Sequence, residues 1–119
     1  MSAPRFDDFE AFFPYYLAEH AHPTSRALHY VGTTAGTLVA LYALWTQTWA
    51  LLIAYPLLGY GCAWLGHFGF EKNRPATFTY PLWSLRGDYT MLYLALTGRL
   101  EGPLRDGIAR HGPAAPRAD

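Results

Sequence analysis

Residues 27–70 read ALHYVGTTAGTLVALYALWTQTWALLIAYPLLGYGCAWLGHFGF. These 44 residues contain no Asp, Glu, Lys or Arg, and they are bounded by Arg26 and Glu71. One helix needs ~20 apolar residues to cross the hydrocarbon layer of a bilayer. The stretch is therefore long enough for two helices and a tight turn. Its most polar run, Trp45-Thr46-Gln47-Thr48-Trp49, predicts the turn, with a Trp on each side suited to a membrane interface. The first helix is expected from about Thr24 to Trp45 and the second from Trp49 to Lys72. Both are apolar all round rather than along one stripe, which points to lipid or deep burial. A chain of 119 residues has little protein left to cover two such helices. Gly32 and Gly36 have the small-xxx-small spacing that lets helices approach closely, and Pro56 is expected to kink the second helix.

Outward from the hairpin the pattern changes. Phe6, Phe9, Phe13, Tyr16 and Leu17 recur at helical spacing, with Asp7, Asp8 and Glu10 on a polar face. This predicts an amphipathic helix over 6–21, lying on the membrane or capping the bundle, with Pro14 as a possible break. After the hairpin, Arg74-Pro75-Ala76 ends the second helix. Asp88 is expected to cap a helix from Tyr89 to Leu100, so that 77–100 forms a broken third span or a segment packed partly inside the bundle. The fold expected is all-α: a small integral membrane bundle with a central transmembrane hairpin, an N-terminal amphipathic helix and a broken C-terminal helical segment. Residues 1–110 form one domain, and 111–119, which include His111, a disordered tail.

Composition narrows the function. Only 15% of residues are charged and 17% are aromatic, against about a quarter charged in soluble domains. The net charge is zero and no basic stripe is present, which argues against nucleic acid as a partner. The single cysteine, Cys62, excludes a disulfide framework or a cysteine metal site. Asp7, Asp8 and Glu10 near the start do not suit a signal peptide. Arg5, Arg26, Lys72 and Arg74 flank the open ends of the hairpin and the turn has no basic residue. By the positive-inside rule the open end faces the cytoplasm.

His29 lies 18 residues before Gln47 and His67 lies 20 after it. At ~1.5 Å per residue both stand roughly 27–30 Å from the turn, so an antiparallel hairpin puts them at one depth. Glu71 follows His67 by four residues, on the same face of an α-helix. His20, with neighbours Glu19 and His22, ends the first helix and folds over the same end. Imidazoles with a carboxylate suit Zn, Fe, Cu or Ni. No HExxH is present, so a metalloprotease has no support. Arg26 and Arg74 are candidates for a forked bond to a substrate carboxylate. His22 is a doubtful ligand beside Pro23, and Asp88 is a ligand, an arginine partner or a cap.

Two motifs carry a family resemblance. The first is Tyr16-Leu-Ala-Glu-His20-Ala-His-Pro23-Thr-Ser-Arg-Ala-Leu-His29, and the second is Gly66-His67-Phe-Gly-Phe-Glu71-Lys-Asn-Arg74-Pro75-Ala76. Over roughly residues 6–100 the sequence resembles the small membrane-protein family, once of unknown function, that includes the fungal 2-hydroxy-palmitic acid dioxygenase of phytosphingosine breakdown. The resemblance implies an Fe(II)-dependent dioxygenase that shortens 2-hydroxy fatty acids by one carbon with O₂ and without 2-oxoglutarate. It places His20, His29 and His67 on the family's histidine positions, as metal ligands, and Glu71 on its acidic position, as a ligand, an orienter of a His ring or a proton acceptor from the 2-hydroxyl. The middle of this chain is shorter than that of the fungal member, and Asp88 matches no acidic residue there. The Arg- and Ala-rich, Lys-poor composition looks bacterial, which implies an inner membrane. The alternatives are a zinc-dependent membrane hydrolase and a non-catalytic scaffold or lipid-binding protein.

Overall fold

The computed structural model describes residues 5–112. Among them every regular element is helical: α1 (Phe9–Ala18), α2 (Pro23–Thr46), α3 (Ala54–Trp64), α4 (Pro81–Leu96) and α5 (Glu101–His111). A 3-10 turn, Trp49–Ile53, leads into α3, and a π-helical segment, Leu65–Glu71, continues it. The predicted hairpin is therefore present, with bounds within a residue or two of expectation.

Its turn is local chemistry. Gln47 adopts the left-handed conformation at φ 54° and closes α2. Pro23 starts α2 at a position where its missing N–H costs nothing. Pro56 sits in the first turn of α3, just after the 3-10 turn, where its ring is also tolerated. Gly32 and Gly36 form the contact between the two helices. A Cβ at Gly32 would lie 2.8 Å from Cys62 Cβ and 2.9 Å from the Leu58 carbonyl, and one at Gly36 would lie 3.1 Å from the Tyr55 carbonyl. The outer surface stays apolar: Val31, Leu38, Leu41, Ile53 and Leu57 are exposed, and Trp45 at the turn is 88% exposed. Pro23–Thr46 and Trp49–Glu71 are each long and apolar enough to cross a membrane.

The aromatic core lies outside the hairpin. Phe9, Phe12, Tyr15, Tyr16 and Leu17 of α1 are buried with Met91 of α4, and Tyr80, Trp83 and Leu104 pack against them. Asp8 caps α1 by accepting the Ala11 N–H at 2.8 Å. Pro14 does not split the helix. Its carbonyl is instead where α5 approaches, since a Cβ at Gly107 would lie 2.5 Å from it. The ring of His111, which was grouped with the tail, closes α5 and meets Phe6 and Tyr15 edge-on. The remaining tail from 113 lies outside the described residues.

The third helical segment differs from expectation. It begins at Pro81, and Asp88 is in its interior rather than at a cap. Proline at the first position fixes the start, and a hydrogen bond from Tyr16 holds the Asp88 carboxylate within the helix. At 16 residues α4 is ~24 Å long, short of the ~30 Å hydrocarbon layer.

Candidate metal centre

His20 follows the end of α1, His29 lies two turns into α2, and His67 lies in the π segment. The three are buried and their ligand atoms all lie within 4.8 Å of one another. Ring centroids are 4.3, 4.5 and 4.9 Å apart, each pair nearly perpendicular. Counting residues from the turn placed His29 and His67 at one depth and segment order folded His20 over the same end, and the structure brings the three rings together.

The outer nitrogen of each ring is fixed by an oxygen. His20 Nδ1 donates to the Tyr16 carbonyl at 2.6 Å and His29 Nδ1 to the Ser25 carbonyl at 2.8 Å. Carbonyls only accept, so both rings carry their proton on Nδ1. His67 Nδ1 meets Asn73 Oδ1 at 2.7 Å, and Asn73 Nδ2 donates to the Glu19 carbonyl at 3.1 Å. That second bond orients the amide and makes His67 the donor as well. All three Nε2 lone pairs are thereby left facing inwards, with His20 Nε2 and His29 Nε2 3.0 Å apart. Two acceptors at that distance repel unless a cation lies between them. With a metal–nitrogen bond of ~2.1 Å, neighbouring ligands stand about 3.0–3.4 Å apart, from right-angled to tetrahedral geometry. The donor set suits a divalent transition metal and the His20–His29 pair has the spacing of two ligands to one ion, with each ring oriented from behind as metal-binding histidines usually are. Burial holds the His20 pKa well below its usual value, helped by the two neighbouring imidazoles.

The other predicted site residues take different places. Glu71 is buried but lies outside the three-imidazole group. Its carboxylate accepts the His22 N–H at 2.6 Å. Glu71 ends the π segment that carries His67, and its carboxylate is drawn to the His22 amide rather than to the imidazoles. Arg26 donates from Nη1 to the His20 and Ala21 carbonyls at 2.9 and 2.8 Å, so it clamps the loop that carries His20. Arg74 is exposed and stacks over Phe78 at 4.7 Å, and Phe78 in turn meets Trp64 at 5.5 Å. His22 caps α2 by accepting the Thr24 N–H.

A cavity adjoins the three rings. Tyr60, Trp64, Thr77, Ser84 and Asp88 line it on the side of α3 and α4. Asp88 accepts a short hydrogen bond from the Tyr16 hydroxyl, and the Tyr16 ring packs on His20 at 4.1 Å. Burial pushes the Asp88 carboxyl up to about 7, against the pull of that bond, and it also raises the Tyr16 hydroxyl. Asn73 and Tyr16 were present in the two motifs without an assigned role. The signal that identifies them is their hydrogen-bond partners.

The model of the 2-hydroxy-palmitic acid dioxygenase Mpo1-like family matches residues 6–100. The chain belongs to this family. The matched region contains all three histidines, Asn73, Tyr16 and Asp88. No curated protein and no solved structure matches the chain.

Proposed function

We propose that the protein is an Fe(II)-dependent dioxygenase of the membrane that shortens 2-hydroxy fatty acids by one carbon. The observation that carries this is the convergence of three Nε2 lone pairs, each ring pinned through Nδ1, in a chain of the 2-hydroxy-palmitic acid dioxygenase-like family. Three imidazoles leave coordination positions open for a substrate head and O₂, as mononuclear non-haem iron sites require. Iron held there would supply the oxygen chemistry. The overall change balances without a further reductant: R–CHOH–COOH and O₂ give R–COOH, CO₂ and H₂O.

The chain's own residues set the scene for that change. His29 is six residues inside α2, ~9 Å from its start, the depth at which a head group meets acyl chains. The hairpin crosses the membrane, and its exposed apolar surface faces lipid. The open end, with Arg26, Lys72 and Arg74, faces the cytoplasm. Arg26 and Glu71 are positioning residues that hold the His20 loop from α2 and the π segment. Arg74 stands at the outer end of the Phe78–Trp64 stack and is placed to meet a carboxylate arriving from the head-group layer.

The test uses purified full-length protein in detergent, freed of metal and reloaded with Fe(II) or Zn(II). With 2-hydroxypalmitate, the Fe(II) form should consume O₂ and release a fatty acid one carbon shorter, and the Zn(II) form should not. Cleavage of an ester of the same acid by the Zn(II) form, without O₂, would instead indicate a hydrolase. A protein that binds neither metal would point to a scaffold.

A further inference from the structure

Ser84 and Asp88 are one turn apart on α4, and both border the cavity that the three imidazoles line. Asp88 is the only acidic side chain lining it, among the described residues. It receives one hydrogen bond, from Tyr16, and no cation is paired with it. The ion pairs Arg105–Glu101 and Arg110–Asp106 lie exposed on α5, away from it. Arg86, on the same helix as Asp88, lies over the Phe9 ring at 4.0 Å, and Arg26 is committed to two carbonyls. The Ser84 hydroxyl is buried and has no hydrogen-bond partner among the described residues. Buried polar groups are rarely left in this condition.

The two sides of the cavity have complementary deficits. Three neutral imidazoles offer lone pairs and leave the charge of a divalent cation uncompensated. Across from them stands a carboxylate without a counter-ion. Asp88 is half-buried, and a charge withdrawn from water is costly unless it is paired or bound to a metal. Of the other acids near this end, Glu71 is turned to the His22 amide, and Glu19 accepts from the Asn73 amide and the Tyr15 hydroxyl.

We propose that Asp88, held by the Tyr16 hydroxyl, is the anionic partner of the cation at the three-histidine centre, and that Ser84 beside it binds an oxygen ligand of that cation. This rests on the metal reading of the three histidines. Asp88 lies outside the three-imidazole group, so it acts on the ion through a water, and Tyr16 is a positioning residue that couples Asp88 to the face of His20.

The test is titration of metal-free, full-length protein in detergent with Co(II), followed by its visible absorption and by competition with a chelator. Wild type should bind one Co(II). Asp88→Asn should bind about 10–100-fold more weakly, the loss seen when partners of a metal site are removed, with an altered Co(II) spectrum. Tyr16→Phe should shift the same band with a smaller loss of affinity. Without metal, Asp88→Asn should melt at least as high as wild type, because it removes an uncompensated charge. A purely structural Asp88 would give the reverse: a lower metal-free melting temperature and an unchanged spectrum. Wild-type protein that binds Co(II) with Asp88→Asn binding it equally well overturns the proposal and leaves the metal site standing. Wild-type protein that binds no Co(II) overturns both.

Discussion

Replacing Asn73 with alanine removes the acceptor of the His67 Nδ1–H and the donor to the Glu19 carbonyl, at 2.7 and 3.1 Å. The residue is 8% exposed, so water does not readily replace it. One buried ring N–H left without an acceptor costs about 1–3 kcal/mol. The ring also loses what fixes its tautomer. A proton that moves to Nε2 removes one of three metal-facing lone pairs, and affinity should fall about 10–100-fold. Asn73→Asp separates the two effects. Its carboxylate still accepts from Nδ1, so metal affinity should stay within a few fold of wild type. It can no longer donate to the Glu19 carbonyl, so stability should fall. Unfolding in denaturant and Co(II) titration of the same three proteins measure both quantities. Wild-type metal affinity in Asn73→Ala would refute the idea that Asn73 sets the tautomer.

The Asp88 carboxyl stands at about 7 in the folded protein against an ordinary 3.8, so its proton is bound more tightly when folded. Its contribution to metal-free stability is greatest below about pH 4 and is lost as pH rises to about 7. His20, shifted downwards, acts in the opposite sense: stability is lost as pH falls below its ordinary 6.5. Metal-free Asp88→Asn should therefore show a melting temperature that rises more steeply from pH 4 to pH 7 than wild type, and parallel curves would exclude this shift. Gly32→Ala should cost about 1–3 kcal/mol through its clash with Cys62 and the Leu58 carbonyl. Gly59→Ala, with nothing within 4 Å, should be neutral or stabilise by up to about 1 kcal/mol; equal costs at both positions would contradict the packing. In a Cys62→Ala background, an impermeant maleimide should label Gln47→Cys and Lys72→Cys from opposite sides of sealed vesicles, and labelling from one side would rule out the crossing.

The hairpin was legible because its information is local. A charge gap, two Trp around a polar turn and glycines four apart need no long-range partner to be read. The depth of His29 and His67 followed from counting. What was hidden depends on contacts far apart in sequence. Asp88 has the composition of a helix cap, and only Tyr16, 72 residues away, shows why it is tolerated inside α4. Glu71 was placed by its spacing from His67, and only the His22 amide, 49 residues away, shows where its carboxylate turns. In α1 the stripe Phe6, Phe9, Phe13, Tyr16 omitted Phe12 and Tyr15, both buried in the core. Aromatic residues occur nearly all round that helix, so spacing alone did not select its inner face.

The placement of that core has a bearing on biogenesis. Packing of α1 against α4 and α5 draws on water being expelled from aromatic rings, a force available outside the hydrocarbon layer. On the membrane reading proposed above, the hairpin, held by glycine contacts, inserts before any of this forms. His20 comes from the first assembly and His29 and His67 from the second, so the metal centre is the seam between them. Loading the proposed ion would then be the last step of maturation, and it would stitch together two halves that formed in different solvents if the hairpin lies in lipid.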